Sequence, residues 1–250
     1  MRAYRATTGE GSTRVAIEET EFGLPPLPNK GTHGSKMIRI RGFGLVSFTR
    51  DRARVRLSTP GAGHAELRQL GYTIYEKSPS QGQEPRSHWV RLNLLALAGG
   101  RGAYLAQLAS GQLNDPVHQL DYLEGVIPGG TRKFGRQEVR GVPTTRYHMV
   151  VDLDRMSREN PRAGELYEAL MRELGSRRLP VTVWLDGRDR VRRFESTVPI
   201  EIPRTKPGER AGSERGHIRI SLEYYDFGIP ARVKAPPAGE TTRVRIPPSR

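Results

Sequence analysis

The stretch from Gly141 to Ile202 constrains the fold of this chain more than any other, because each of its pieces carries a separate periodic signal. In Thr144–Leu153 the odd positions Tyr147, Met149, Val151 and Leu153 are apolar. Arg146, His148 and Asp152 between them are polar, and only Val150 breaks the alternation. A period of two predicts a strand with one buried and one wet face. Asn160-Pro161 then predicts a helix start, since Asn can accept from the first free N–H groups and Pro at the first helical position loses no hydrogen bond. Ala163, Leu166, Tyr167, Leu170 and Leu174 fall on one side of that helix, and Gly175 is placed to end it. Strands resume at Val181–Leu185 and, after a polar turn at Asp186–Asp189, at Val191–Ile202. Val191 has the opposite parity to Phe194, Val198, Ile200 and Ile202, so a bulge is expected near Arg192-Arg193. The result is a one-sided sheet with an amphipathic helix laid on it.

The rest of the chain adds to that sheet. Thr13–Glu21, Lys36–Phe48, Ala53–Ser58, Ala65–Leu70, Tyr72–Glu76 and His88–Asn93 read as strands with no helix between them, hence an antiparallel meander. Gly42 and Gly44 predict a bend or bulge in the second of these. Phe22–Ser35 and Ser78–Ser87 read as loops. Leu94–Gly125 reads as helix-rich, with a short apolar helix at Ala103–Ala109 and another started by Asn114-Asp115-Pro116 that aligns Val117, Leu120 and Leu123. Val126–Gly141 reads as turn and short strand, Pro203–Arg215 as a charged loop, and His217–Phe227 as the last strand. Ile229–Arg250, with five prolines and few apolar residues, reads as a largely disordered tail.

Composition removes several kinds of chemistry. There is no cysteine, which excludes disulfides, thiolate zinc sites and cysteine nucleophiles. The six histidines show no metal-ligand spacing, Gly-x-Ser-x-Gly does not occur, and the Gly-rich pieces at Ala98–Gly102 and Pro128–Lys133 match no phosphate loop. Asp152 and Asp154 could share a cation if both lay on one strand face, but solvated residues at a strand exit are the simpler reading. No metal, cofactor or catalytic residue is expected. The N-terminal residues lack the apolar stretch of a signal peptide. Net charge is +14, carried by 35 Arg and 6 Lys spread along the whole chain. Arg50, Arg52, Arg54 and Arg56 alternate with Ala53, Val55 and Leu57 as the wet face of a strand would. Affinity for anionic surfaces, including lipid headgroups, is compatible with this charge.

About ten strands against three amphipathic helices is a large sheet for little cover, and its apolar face must be buried. The helices could leave an apolar hollow of lipid size, or the core could simply be filled.

Three motifs in order resemble actinobacterial LolA-like lipoproteins of the LppX/LprAFG family. They are Glu138-Val-Arg-Gly-Val-Pro-Thr-Thr-Arg-Tyr147, Leu179-Pro-Val-Thr-Val-Trp-Leu-Asp186 followed by Arg190-Val-Arg-Arg193, and Leu222-Glu-Tyr-Tyr-Asp-Phe-Gly228. Gly42-x-Gly44-x-Val-x-Phe48, Asp51-Arg-Ala-Arg54 and Trp89-Val-Arg-Leu92 resemble the family's N-terminal half. The resemblance implies an α+β fold: a curved antiparallel half-barrel whose apolar concave face is covered by about three helices. It implies a lipid-binding domain over residues 1–229, followed by the tail at 230–250. It also implies a monomeric, non-enzymatic carrier of a lipid, glycolipid or acylated ligand at the cell envelope, able to meet a membrane surface. Family members usually carry a signal peptide and a lipobox cysteine, and this chain shows neither. The cavity walls would be Met149, Val151, Leu153, Val183, Leu222 and Tyr224, under a lid carrying Leu120, Leu123, Leu166 and Leu170. The alternative is an interaction domain with a filled core, whose basic surface meets an anionic partner.

Nucleic acid is not an expected partner, because the basic residues form no stripe. Binding to duplex DNA should be weak and lost by moderate salt in a titration. A salt-resistant, sequence-selective complex would reverse that expectation.

Overall fold

The computed structural model describes residues 2–23, 37–61, 63–77, 88–98, 115–203 and 213–243. The loops expected at 24–35 and 78–87, the helix at 103–109 and residues 244–250 lie outside these. Twelve strands form one open sheet. Its first meander comprises β1 (Ser12–Phe22), β2 (Met37–Ser47), β3 (Arg52–Thr59), β4 (Gly63–Leu70), β5 (Thr73–Lys77) and β6 (Trp89–Asn93). A second comprises β7 (Val126–Val139), β8 (Val142–Asp152), β9 (Arg178–Leu185), β10 (Val191–Pro203) and β11 (Ser213–Tyr225). The two meanders join where β1 pairs antiparallel with β11, and β12 (Thr241–Arg243) adds in parallel to the edge of β6.

Register puts the alternating apolar residues on one face. Val15 stands opposite Tyr224 and Gly44, Gly44 opposite Val55, and Val55 opposite Leu67. One row further along, Ile17 faces Leu222, which faces Phe194, which faces Val183, which faces Tyr147. Most of these side chains are buried in a single core. The two glycines of β2 make no bulge, as its pairing with both neighbours is uninterrupted. A Cβ on Gly44 would run into the Arg54 carbonyl and stand 2.8 Å from Val55 Cα, so only glycine lets β3 approach this closely. The expected bulge in β10 is present between Val191 and Arg193. It leaves the Val191 N–H to donate to Thr7 Oγ1 at 2.8 Å.

Helical cover departs from the expected three helices. The described residues hold α1 (Arg2–Thr8), α2 (Leu94–Ala98), α3 (Leu153–Glu159) and α4 (Gly164–Leu174), with a long 3₁₀ segment at His118–Gly125. The expected helix is α4, ended by Gly175 at φ 58°. α3 precedes it and was hidden because Leu153 continues the strand's parity. Asp152 caps α3, accepting from the Arg155 N–H at 2.9 Å, and Asp154 pairs with Arg158 at 3.2 Å. The two carboxylates therefore serve one short helix and its ion pair rather than a cation. Leu153, expected as a strand wall, is the first residue of that helix. The segment expected as a helix after Pro116 is 3₁₀, although Val117, Leu120 and Leu123 are buried as its spacing predicts.

Two further differences concern edges. β7 is a 14-residue strand where turn and short strand were expected. As an exposed edge strand with two register shifts it needs no apolar alternation, so its sequence carries no strand signal. The described part of the expected tail, residues 230–243, runs over the outer face of the first meander. Val233 and Pro236 are buried, and Arg52 and Arg68 donate to the carbonyls of Val233 (2.9 Å) and Lys234 (3.3 Å). No helix of the described residues is long and apolar enough to cross a membrane.

The arginines in and just before β3 divide accordingly. Arg50 and Arg56 are exposed, whereas Arg52 holds the C-terminal segment and Arg54 binds Glu66 through Nε (2.9 Å) and a second guanidinium nitrogen (3.2 Å). Replacing Arg50 and Arg56 together by Glu should leave the thermal midpoint nearly unchanged. Replacing Arg52 and Arg54 together should cost about 1–3 kcal/mol in denaturant titrations, because one change releases the strap and the other sets like charges side by side.

Candidate functional site

Between α4 and the apolar face of the sheet lies a narrow crevice of about 80 Å³. Leu166 and Leu170 of α4 form one wall, and Leu179, Val198 and Ile220 of the sheet form the other. Its mouth is polar. Tyr72, His118 and Tyr167 belong both to the crevice and to a wider cavity of about 560 Å³, enclosed by α1, the 3₁₀ segment, α3 and the start of α4.

All ten residues expected to wall a ligand cavity come together in or against one core. Val151, Leu153, Val183, Leu222, Tyr224, Leu120, Leu123 and Leu170 are buried, and Met149 and Leu166 are half-buried. Of the ten, only Leu166 and Leu170 line the crevice. The others pack against one another, and Tyr224 ties β11 to the 3₁₀ segment by donating to the Pro116 carbonyl at 3.2 Å.

The polar mouth was not anticipated. Asp115 Oδ1 accepts from the N–H groups of Val117 (3.0 Å) and His118 (2.9 Å), which starts the 3₁₀ segment. Its Oδ2 lies 2.6 Å from His118 Nδ1, and the imidazole stacks on Tyr72 with ring centres 4.4 Å apart. Gln69 of β4 also reaches His118 Nδ1 at 3.2 Å. Burial opposes a charge on His118, but the Asp115 carboxylate, with Asp121 and Asp51 beyond it, outweighs burial and lifts the imidazole pKa to about 9. Burial likewise pushes Asp115 up, yet the His118 charge and its hydrogen bonds hold it below the usual carboxylate range. Asp121 has no such partner. Burial, then the like charges of Asp115 and Glu124, push it up to about 7 against the pull of His118, while Tyr4 bonds its carboxyl group. The sequence signal for this cluster is the spacing Asp115, His118, Asp121, which places three titratable groups along one short segment. It matches no catalytic or metal motif.

These shifts set a dependence of stability on pH. His118 has a folded pKa above its unfolded value near 6.5, so its contribution is complete below that value and is lost as pH rises through 9. Asp121 is also raised. Its contribution is complete below about pH 4 and is lost as pH rises through 7. The lowered Asp115 works the other way: its contribution is present above about pH 4 and lost as pH falls through its folded pKa. The thermal midpoint should therefore fall in two successive stages, from about pH 4 to 7 and from about pH 6.5 to 9. Asp121→Asn should remove the first stage and His118→Gln the second, while a midpoint flat from about pH 4 to 9 in both variants and parent would contradict this arrangement.

No family model matches the chain. It is 24% identical over 158 residues to an uncharacterized 31.2 kDa protein from the rplA-rplJ intergenic region of Streptomyces griseus. The match covers 62% of this chain and 47% of that protein, so the chain aligns with less than half the length of that relative. Among solved structures, the chain is similar to LprF from Mycobacterium bovis, with 17% identity, a TM-score of 0.41, and coverage of 94% of this chain and 93% of that one. It is also similar to the lipoprotein LppX from Mycobacterium tuberculosis, with 15% identity, a TM-score of 0.46, and coverage of 93% and 94%.

Proposed function

We propose that this protein binds a lipid or acylated ligand without transforming it, taking an apolar chain into the crevice beneath α4, and that it does so at the cell envelope. The observation that carries the reading is the crevice itself: an apolar slot between a helix and a sheet, opening into a polar cavity large enough for a headgroup. The family resemblance of the sequence motifs supports it. Burial of an acyl chain would supply the affinity, at about 0.8 kcal/mol per methylene group.

At about 80 Å³ the slot is too small for such a chain as it stands. A cavity of roughly 150 Å³ is needed for a benzene ring. Uptake then requires α4 to swing away from β9–β11, which exchanges Leu166 and Leu170 contacts for ligand contacts. The small volume favours a second reading, a packed domain whose basic surface meets an anionic partner, and the test must separate the two.

Leu166→Trp does so. Leu166 is half-buried on the crevice wall, so the indole fills the slot. In a carrier this variant should lose lipid uptake while its denaturation midpoint stays equal or rises. In a packed domain it should overpack and cost about 1–3 kcal/mol. Val151→Trp is a poor substitute, because Val151 is fully buried away from the crevice and would overpack under either reading. Organic extraction of protein purified from a lipid-rich envelope host, with mass spectrometry, is the companion measurement. No co-purifying lipid together with a destabilised Leu166→Trp variant would replace the carrier reading by the packed-domain one.

A further inference from the structure

The wider cavity has a charge opposite to that of the protein around it. The chain carries +14 overall, yet Asp51, Asp121, Glu124 and Glu159 line this cavity beside the rings of Tyr4, Tyr72 and Tyr167. Some of that charge is matched. Arg155 Nε binds Glu159 at 2.8 Å, and Asp115 is matched by His118. Among the described residues, Asp51, Asp121 and Glu124 are in no ion pair, and the remaining guanidinium on the lining, Arg162, lies 5.3 Å over the Tyr72 ring. Carboxylates interleaved with tyrosine faces attract a cation by charge and by ring quadrupole together.

A second observation comes from the crevice that adjoins the cavity. Gln119 is only 9% exposed and lines the crevice with Tyr72, His118 and Tyr167, the three residues that both spaces share. Its Oε1 has no hydrogen-bond partner. Buried acceptors are almost always paired, so this carbonyl oxygen calls for a donor that the protein does not supply. A carboxylate or phosphate headgroup offers none and would meet three unneutralised carboxylates. A primary ammonium offers three donors and the complementary charge.

We propose that the cavity is a binding site for an organic primary ammonium group, the headgroup of a ligand whose apolar chain enters the crevice. The chain part rests on the lipid-binding reading, while the headgroup part stands on the cavity alone. Asp121 faces Tyr4 of α1, Asp51 of the β2–β3 turn, Tyr72 of the β4–β5 turn, Arg155 and Glu159 of α3, and Arg162 and Tyr167 at α4, besides Asp115, His118 and Glu124 of its own segment. With Asp121 titrating near 7, the ammonium competes with its proton. Affinity therefore rises from pH 6 to pH 8 and falls with added salt.

The test is calorimetric titration of the full chain with decylammonium, decanoate and decyl maltoside below their micellar concentrations, and with butylammonium as the headgroup on a short chain. Decylammonium should bind at least tenfold more tightly than decanoate or the maltoside. Asp121→Asn should weaken decylammonium at least fivefold at pH 8, abolish its pH dependence and leave decanoate unchanged. Glu124→Gln, at an exposed position, is the second variant should Asp121→Asn fail to fold, and it should weaken decylammonium in the same direction. Decanoate or the maltoside binding as tightly as decylammonium overturns the ammonium site and leaves the lipid reading standing. Decylammonium binding no more tightly than butylammonium overturns the lipid reading and leaves the ammonium site standing. No binding by any of the four overturns both.

Discussion

The pairing of β1 with β11 is the contact on which the rest of this structure depends. It joins residues 14–22 to residues 217–225, distant in the chain, and turns two local meanders into one sheet. Either meander alone would expose half of the apolar face. Once joined, Val15 lies against Tyr224 and Ile17 against Leu222, at the centre of a continuous apolar floor. Closing so long a loop costs entropy that no local contact returns, so the floor has to be buried over its whole width to offset it. That requirement explains why helical elements from both halves of the chain converge on one side of the sheet.

The same convergence produces the polar mouth. The 3₁₀ segment, α1 and α3 line one cavity above the floor, and the start of a helical segment carries unsatisfied N–H groups. Asp115 answers two of these N–H groups and is then buried, which requires His118 to stay charged beside it. Asp121, one turn further on, is left with like-charged neighbours. A chain so rich in arginine thus encloses a locally negative cavity, because the arginines sit on wet strand faces while the short helical segments bring acids to the mouth.

Period-two and period-3.6 patterns made the strands around Val151, Val183 and Leu222 and the helix α4 legible, since each has one wet face. The parity break at Val191 located a bulge, because a change of side-chain face is a local steric fact, whereas the expected bulge at Gly42 and Gly44 is absent and Gly44 instead lets β3 approach closely. α3 was not legible, since its first residue Leu153 prolongs the β8 alternation and only the cap from Asp152 marks the change. Nor was β7, an edge strand exposed on both faces. The run from Gly228 to Arg243 has few apolar residues and no period, and it is placed by burial of Val233 and by arginines of β3 and β4 that reach its carbonyls.

By itself, then, the sequence determined which residues alternate, where the chain turns and which face of each element is apolar, because these follow from steric and solvation preferences within a few residues. It also settled that no cysteine chemistry is possible. Tertiary structure alone decided that eight of the ten expected wall residues pack in or against the core away from the crevice and that only Leu166 and Leu170 border it. It alone decided that Asp115, His118 and Asp121 share a mouth with Tyr4, Tyr72 and Tyr167. The reason is that volume and charge at a point depend on side chains brought there from distant parts of the chain, and no local period encodes how closely they meet.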